Sequence, residues 1–590
     1  MVVCFQKGFN FLLGQCAHAR IVGGITRSSA DREDLLRFCE ANRTLGGTEM
    51  VTWNYGVMWK GIALADPARP AQMFGDVVYS WGEFHQRSNA LAADMLAAGL
   101  GSQAKVAHYL YNCPEYLEAT FASYLAGFVP VNTNYRYGPE EITYLFDNSD
   151  AEAVVFHAVF ADLCAQVRPA LPKVKRWYMV PDESGTALPS WAVDYNTVVT
   201  KTVTDIVPPT PLSDDDMLFL YTGGTTGMPK GVMWRQEDLL QVLGRGGNAI
   251  TGVAPADSLE EVIARVQPGG VGLRALVACP LMHGTGQFSA FITLAMGGCI
   301  VTMPNRNFDP ALLWQTVQDR AVNSIVIVGQ AFAGPMLESL DANPTRWNLS
   351  SVVQMGSSGV MWSQENKNAL LEHIPQMLIT DSFGSSEAVG MGMSVAAKGA
   401  APKTAQFALG PNCVVFTEDG QRVQPGSGES GLVAVGGAIP VGYYKDEVKS
   451  AQTFRMFEGR RWTVPGDWAE VNEDGTLHPL GRGSVCINTG GEKVFPEEVE
   501  EMVKTHSSVR DAVAVGIPDT RFGETICVVV EAEPGETPTL EVLAAHVKAR
   551  LAAYKAPRNV VVISTIGRAP NGKVDYKRLK QHAIDTLGAK

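Results

Sequence analysis

The sequence predicts an α/β protein: a large N-terminal part with layered sheets and helices, then a small α+β domain. Three observations carry this expectation. From residue 51 onward, helix-like stretches such as Trp81–Ala98 and Pro114–Ala126 alternate with short β-branched or apolar runs. Those runs (Ala153–Phe156, Ser324–Val328, Ser351–Met355, Met377–Thr380) have the length and composition of parallel strands buried on both faces. At 590 residues the chain also exceeds what a single core holds, so two or more domains are expected.

Several runs end in Gly/Ser-rich turns: Gly329-Gln330, Gly356-Ser357-Ser358-Gly359, and the segment from Asp381 to Glu387. Ligands of open α/β sheets collect beyond the carboxyl ends of strands, so these turns are the natural place for a site. A second unit begins near Gly481-Arg482-Gly483-Ser484. It continues with a Gly490-Gly491 turn, a helix over Pro496–Lys504, strands over Ala512–Ile517 and Ile526–Glu531, and a helix over Leu540–Leu551. Roughly one hundred residues suffice for a small domain. No internal repeat or low-complexity tract is visible.

Composition narrows the function classes. A hydrophobic fraction of 46% with 18% charged residues is that of an ordinary globular protein. The net charge is −13 and no run of lysine and arginine stands out, which argues against nucleic acid or an anionic membrane as the main partner. The ten cysteines are scattered without a Cys-x-x-Cys pair and read as buried apolar residues of a reducing, cytoplasmic compartment. The longest weakly polar stretch, Phe288 to Pro304, is short and interrupted by Gly297-Gly298, so no integral membrane segment is expected. Residues 1–50 carry Lys7, Arg20 and Arg27 before any acid, with an apolar patch at Phe9–Leu13. They lack the longer apolar core of a signal peptide. They are expected to be a disordered extension of unknown role, or an upstream start ahead of a natural one at Met50.

The most informative segment is Thr222-Gly223-Gly224-Thr225-Thr226-Gly227-Met228-Pro229-Lys230-Gly231, a turn between two apolar runs closed by a lysine. Glycines let the backbone point several N–H groups at one anion, threonine hydroxyls add donors, and Lys230 supplies positive charge for a polyphosphate. It is not the nucleotide P-loop, which needs Gly-Lys-Ser/Thr before a helix. In Asp381-Ser382-Phe383-Gly384-Ser385-Ser386-Glu387, an aromatic face can stack on a base and Gly384 leaves room for it. A carboxylate beside phosphates serves best as a Mg²⁺ ligand. Asp467 in Pro465-Gly466-Asp467, taken alone, caps a turn. Likewise Arg482, Lys573 after Pro570-Asn571-Gly572, and His283 in Pro280-Leu281-Met282-His283-Gly284 read, without context, as surface or core residues.

Context changes these readings, because all the motifs occur in the order of one family. The chain resembles the adenylate-forming superfamily of acyl-CoA synthetases, peptide-synthetase adenylation domains and luciferases, from residue 51 to about 580. The segments Gly231-Val232-Met233-Trp234-Arg235-Gln236-Glu237-Asp238 and Gly481–Lys493 look like the actinobacterial fatty-acyl-CoA synthetases, particularly ligases of steroid side-chain carboxylates. The resemblance implies an extension over 1–50, an adenylation domain over 51–482 and a mobile C-terminal lid domain over 483–590. By it, the 222–231 loop holds the phosphates and Gly356-Ser357-Ser358-Gly359 covers one adenine face. Phe383 contacts adenine, Asp381 lies near the adenine amino group, Ser386 meets a phosphate and Glu387 holds Mg²⁺. Asp467 holds the ribose diol, Arg482 contacts ribose and phosphate, and Lys573 reaches the carboxylate and α-phosphate. His283 lies beside the acyl and thiol-entry region, and the Gly490-Gly491 turn meets the pantetheine arm.

Where the family has an aspartate or lysine at the interdomain hinge this chain has Ser484, followed by Val485, and Asn488 replaces a common lysine. Gly483 is expected to keep that hinge backbone free. The implied substrates are a small-molecule carboxylic acid, ATP and coenzyme A; the resemblance is compatible with a homodimer. Three alternatives stay open: an acyl-adenylate ligase loading a carrier protein (no carrier domain follows Lys590), a luciferase-like oxygenase, and an inactive binder. Small residues and methionine in Gly329–Gly334 and Ala388–Met393 suggest a roomy apolar pocket.

Overall fold

Parallel strands need helical crossovers and cover on both faces, and the alternation of helices with apolar runs supplies both. The computed structural model describes residues 53–588 apart from 223–227, 249, 267–271, 360–361, 401–405, 486, 490–491, 520–522, 552, 570–571 and 573. In a first sheet, β1 (Lys105–Tyr109) lies between the parallel strands β2 (Val129–Asn132) and β3 (Ala151–His157). Beside β2 runs β4 (Met217–Thr222), and β5 (Lys230–Arg235) returns antiparallel to it. In a second sheet, β6 (Arg274–Val277) lies between β7 (Cys299–Thr302) and β8 (Ser324–Ile327). Next come β9 (Gln354–Ser358) and β10 (Leu378–Phe383), still parallel, and then β11 (Gly392–Ala396), which is antiparallel. Strand order therefore reverses at β1 in one sheet and at β6 in the other, and such switch points open crevices at the carboxyl ends.

Two buried helices form the layer between the sheets. Every residue of α1 (Pro114–Leu125) except Glu115 is buried, and its Tyr116 meets the ring of His108 on β1 edge-on at 5.2 Å. The second, α2 (Gly284–Ala295), brings Phe291 to 5.5 Å from Trp59 and 6.1 Å from Tyr124. Each such fully buried side chain contributes about 1.5–3 kcal/mol of apolar burial, which fixes where the two sheets sit.

The chain order matches the expected elements, with two differences that matter for the site. The expected strand over Ser351–Met355 starts three residues later, and the Gly356-Ser357-Ser358 turn is the strand itself. Val353 instead donates to Asn323 O at 2.9 Å just before the strand begins, and its side chain is exposed. Likewise β10 runs through Asp381, Ser382 and Phe383. Glycine and serine have low strand propensity, yet pairing with neighbours on both sides (Gly356 with Val326 and Thr380) overrides it.

Further along, β12 (Gly442–Tyr443) pairs with the free edge of β5, and α3 (Glu447–Thr453) follows it. A hairpin of β13 (Asp467–Val471) and β14 (Thr476–Arg482) closes the N-terminal part. Among the described residues the C-terminal domain is a five-stranded sheet built on β15 (Val509–Asp519), β16 (Gly523–Ala532) and β17 (Asn559–Ile563). Its helices are α4 (Pro496–Lys504), α5 (Leu540–Lys548) and α6 (Tyr576–Leu587). Alternation sorts the faces: Ala512 and Ala514 pack with Val499 and Leu543 under α4 and α5, whereas Val513 and Val515 pack with Leu579 under α6.

The helix α4 seats on β14, where a Cβ on Gly481 would come within 1.9 Å of Glu497 Oε2. Gly483 has a similar constraint: a Cβ there would meet Trp468 Nε1 at 2.6 Å. Close approach, not only backbone freedom, calls for glycine at 483. Glu501 lies in the same contact, and burial pushes its carboxyl up to about 7 against the opposing Lys504 and His478 charges.

Candidate active site

The phosphate-type loop is the connection of a hairpin, with Thr222 at the end of β4 paired to Lys230 at the start of β5. Gly231 is required there, because a Cβ would lie 2.6 Å from the Tyr221 ring. The expected ligands Gly223, Gly224, Thr225, Thr226 and Gly227 lie outside the described residues, as do Gly490, Gly491 and Lys573. Lys230 is half-buried, and its ammonium donates to Asp446 Oδ2. That hydrogen bond lowers the Asp446 pKa below the usual carboxylate range.

Strand β5 is the hub that draws the other motifs together. From it, Trp234 Nε1 donates to the Ser386 carbonyl at 2.9 Å across 152 residues of sequence. The neighbouring Glu387 is buried, and its Oε1 accepts from the Tyr443 hydroxyl at 2.7 Å. Parallel pairing places Gly356, Ser357 and Ser358 beside Thr380, Asp381 and Ser382. The two segments expected to flank adenine are thus adjacent strands. Ser357 Oγ accepts from Gly329 N at 2.8 Å, and Gly359, at φ +93°, has only Thr285 and Val328 side chains near its Cβ direction. Phe383 is half-buried, 5.7 Å from the Phe407 ring. Gly384 opens a tight turn in which Ser385 N donates to Ala388 O at 2.9 Å.

Asp381 sits in a buried ion pair, with Lys367 Nζ 3.0 Å from Oδ2. Burial raises the Asp381 pKa and Lys367 opposes the shift. Asp467 is buried at the start of β13, in register with Arg482 on β14, and Gly483 N donates to Gly466 O at 3.0 Å. The two residues expected at the ribose are therefore cross-strand neighbours. In the same C-terminal segment, Arg568 makes a bidentate pair with Asp511 (2.6 and 2.8 Å) and donates to Gly572 O at 3.1 Å.

His283 precedes α2 as its N-cap residue and is half-buried. The turn before it is tight: a Cβ on Gly286 would approach Pro280 O to 2.4 Å. Two asparagines lock this turn to the rest of the site. Asn132 donates to Met282 O (2.6 Å) and Tyr221 O (2.9 Å), and Asn112 donates to Cys279 O (2.9 Å) while accepting from Leu281 N (2.7 Å). Against Pro280 at the start of this turn, at the carboxyl ends of β1, β3, β6 and β7, lies a cavity of about 470 Å³ lined also by Tyr111, Tyr135, Phe308 and Phe332. Arg306 lines it too, paired with Asp182 at 3.0 Å and lying over the Tyr111 ring. Phe332 comes from the segment expected to shape an apolar pocket, whereas Met393 of the second such segment is 39% exposed and faces away from any core.

Sequence reading missed Asp446, Tyr443, Lys367, Asn112 and Asn132. One local signal was present: Asp446 is the N-cap of α3, accepting from Lys449 N, in an Asp-x-x-Lys pattern before a helix. The six described cysteines are buried and unbridged, and burial pushes the Cys279 thiol up to about 12, so none has the character of a nucleophile. No described helix is long and apolar enough to cross a membrane.

The AMP-binding enzyme family matches residues 62–444, and the AMP-binding enzyme C-terminal domain matches residues 498–573. A Mycolicibacterium smegmatis protein named medium/long-chain-fatty-acid–CoA/3-oxocholest-4-en-26-oate–CoA ligase is 39% identical over 522 residues, covering 88% of this chain and 94% of its own. The 3-oxocholest-4-en-26-oate–CoA ligase of Rhodococcus rhodochrous is 39% identical over 531 residues, covering 88% and 92%. The fold is shared with the anthranilate CoA ligase AuaEII in complex with anthranoyl-AMP, at a TM-score of 0.77 and 18% identity over 91% of this chain and 98% of that one. Two matched domains in sequence, full-length relatives and one shared fold agree: the chain belongs to the family of AMP-binding enzymes.

Proposed function

We propose that the protein is an ATP-dependent acid–thiol ligase that converts a hydrophobic carboxylic acid, a fatty acid or a steroid side-chain carboxylate, to its acyl-CoA. The observation that carries this reading is the convergence of Lys230, Ser386 and Glu387 around β5 with the adenine-flanking strands β9 and β10 alongside. Relatives named as ligases of such acids support the substrate class.

A carboxylate is a poor electrophile for a thiol, so its oxygen first attacks the α-phosphorus of ATP. The Pα–O bond to the β-phosphate breaks, pyrophosphate leaves and an acyl-adenylate remains. The CoA sulfur then attacks the acyl carbon, loses its proton, and AMP departs. In this reading Lys230 and the 222–227 loop grip the phosphates, and Lys573 offsets charge on the transferring group; such stabilisation is mainly electrostatic. Asp467 and Arg482 hold the ribose and α-phosphate side. In this reading the cavity lined by Pro280, three residues before His283, belongs to the acyl and thiol-entry side, and its volume suits a small-molecule site. The C-terminal domain would turn about Gly483-Ser484 between the half-reactions, withdrawing Lys573 and presenting Gly490-Gly491 to the pantetheine arm.

Mg²⁺ fits the donors present. Among the described residues no three acidic, histidine or cysteine side chains are grouped so that they could hold a metal ion by themselves, but Glu387 offers a buried carboxylate whose Oε1 is held by Tyr443. One carboxylate plus substrate phosphates is the usual Mg²⁺ donor set. When bound, the ion supplies charge neutralisation at the phosphates.

Pyrophosphate release screened over short, medium, long and steroid carboxylic acids, with and without CoA, tests the reading. It predicts release with long or steroid acids and AMP turnover that depends on CoA. AMP turnover independent of CoA but dependent on a carrier protein would replace it with the carrier-loading alternative.

A further inference from the structure

The strand and turn Gly442–Asp446 hold none of the residues singled out from the sequence, yet their side chains touch two of the residues assigned to ATP. Tyr443 donates to Glu387 Oε1 at 2.7 Å with both side chains buried, and three residues later Asp446 Oδ2 accepts from Lys230. Neither contact is a loose surface encounter. Asp446 Oδ1 is itself fixed by accepting from Lys449 N at 2.9 Å. The turn is anchored to the phosphate hairpin by pairing of Tyr443 with Val232 and by Tyr444 N donating to Gly231 O at 2.8 Å. Its far side is held by Tyr444 and Lys445, both 2.7 Å from Asp150 Oδ2. Lys445 takes φ +54°, a conformation that non-glycine residues adopt only where the surroundings impose it.

We propose that Tyr443 and Asp446 are positioning residues for MgATP, one orienting the Glu387 carboxylate and the other holding the Lys230 ammonium. This rests on the assignment of Lys230 and Glu387 to phosphate and cation. A lysine ammonium has three donors on a flexible four-carbon stem. Engaging one donor with Asp446 leaves two for phosphate oxygens and removes most of the ordering that ATP would otherwise impose. Donation to Oε1 likewise fixes the carboxylate plane, and Glu387 so held would offer its other oxygen to a cation. Partners of this kind change metal affinity by about 10–100-fold when removed.

The test uses Tyr443→Phe, which deletes one hydroxyl, and Asp446→Asn, which keeps a good N-cap for α3 while removing the charge. Calorimetric titration of the full-length protein with ATP, over a range of Mg²⁺ concentrations and without acid or CoA, gives the nucleotide dissociation constant. Tyr443→Phe is expected to raise the Mg²⁺ concentration needed for tight ATP binding about tenfold, and Asp446→Asn to weaken MgATP binding about tenfold, with KM for the acid unchanged. Unchanged constants, or tighter binding by Asp446→Asn because Asp446 competes with phosphate for Lys230, would overturn the proposal. Glu387→Ala separates the two levels. If it leaves the Mg²⁺ dependence of binding unaltered, the cation assignment fails; if it alters that dependence while Tyr443→Phe does not, only the positioning role fails.

Discussion

Replacing Lys573 with alanine is expected to abolish acyl-adenylate formation while sparing thioester formation from supplied acyl-adenylate. In the proposed mechanism the asymmetry follows from its place in the sequence: it falls at the end of the matched C-terminal domain, residues 498–573, the part proposed to turn between the half-reactions. Its charge is needed only while the acid oxygen and the α-phosphate, both negative, are brought together. Loss of one such stabilising group costs on the order of 10²–10³ in rate. Single-turnover assays of each half-reaction measure the split. Equal loss in both, with the fold intact by thermal melting, would contradict two orientations of one domain.

Replacing Glu387 with alanine is the second large effect. If Glu387 holds the cation as proposed, the variant should lose Mg²⁺-dependent turnover by about two to three orders of magnitude, because that carboxylate is then gone. Burial of Glu387 against Tyr443 makes a purely structural role the competing explanation. A Mg²⁺ titration of the initial rate separates the two: a structural defect lowers the plateau at an unchanged half-saturation, whereas loss of a ligand moves the half-saturation itself. An unchanged Mg²⁺ response removes the metal assignment.

The motif residues of the proposed site stand out in the sequence because their signals are local. The run of glycines and threonines closed by Lys230 carries its chemistry in ten consecutive residues, and its flanking apolar runs are the two strands of one hairpin. The helix Pro496–Lys504 was readable to the residue, from a proline at its first position and acids in its first turn. The partners of the motif residues were not. Lys230 meets Asp446 across 216 residues, and Glu387 meets Tyr443 across 56, so no window of sequence holds both members. Lys367, which pairs with Asp381 at 3.0 Å, stands on the helix Gln364–His373 and belongs to no motif, so nothing local marks it. The strand ends were misplaced for a related reason. Gly356 to Ser358 and Asp381 to Phe383 are turn-formers by propensity, and only pairing with strands distant in sequence holds them extended.

That pairing also clarifies what the glycines do. Gly231, Gly286 and Gly481 are places where a ring, a carbonyl or a carboxylate comes too close for any Cβ. They shape the site by permitting approach rather than by flexing.

The central claim is that the acid is activated by forming a bond to the α-phosphorus. Carboxyl-¹⁸O-labelled acid, turned over with ATP and CoA and analysed by mass spectrometry, tests it most directly. The account predicts one labelled oxygen in AMP and none in pyrophosphate; label in pyrophosphate or inorganic phosphate, with unlabelled AMP, would contradict it.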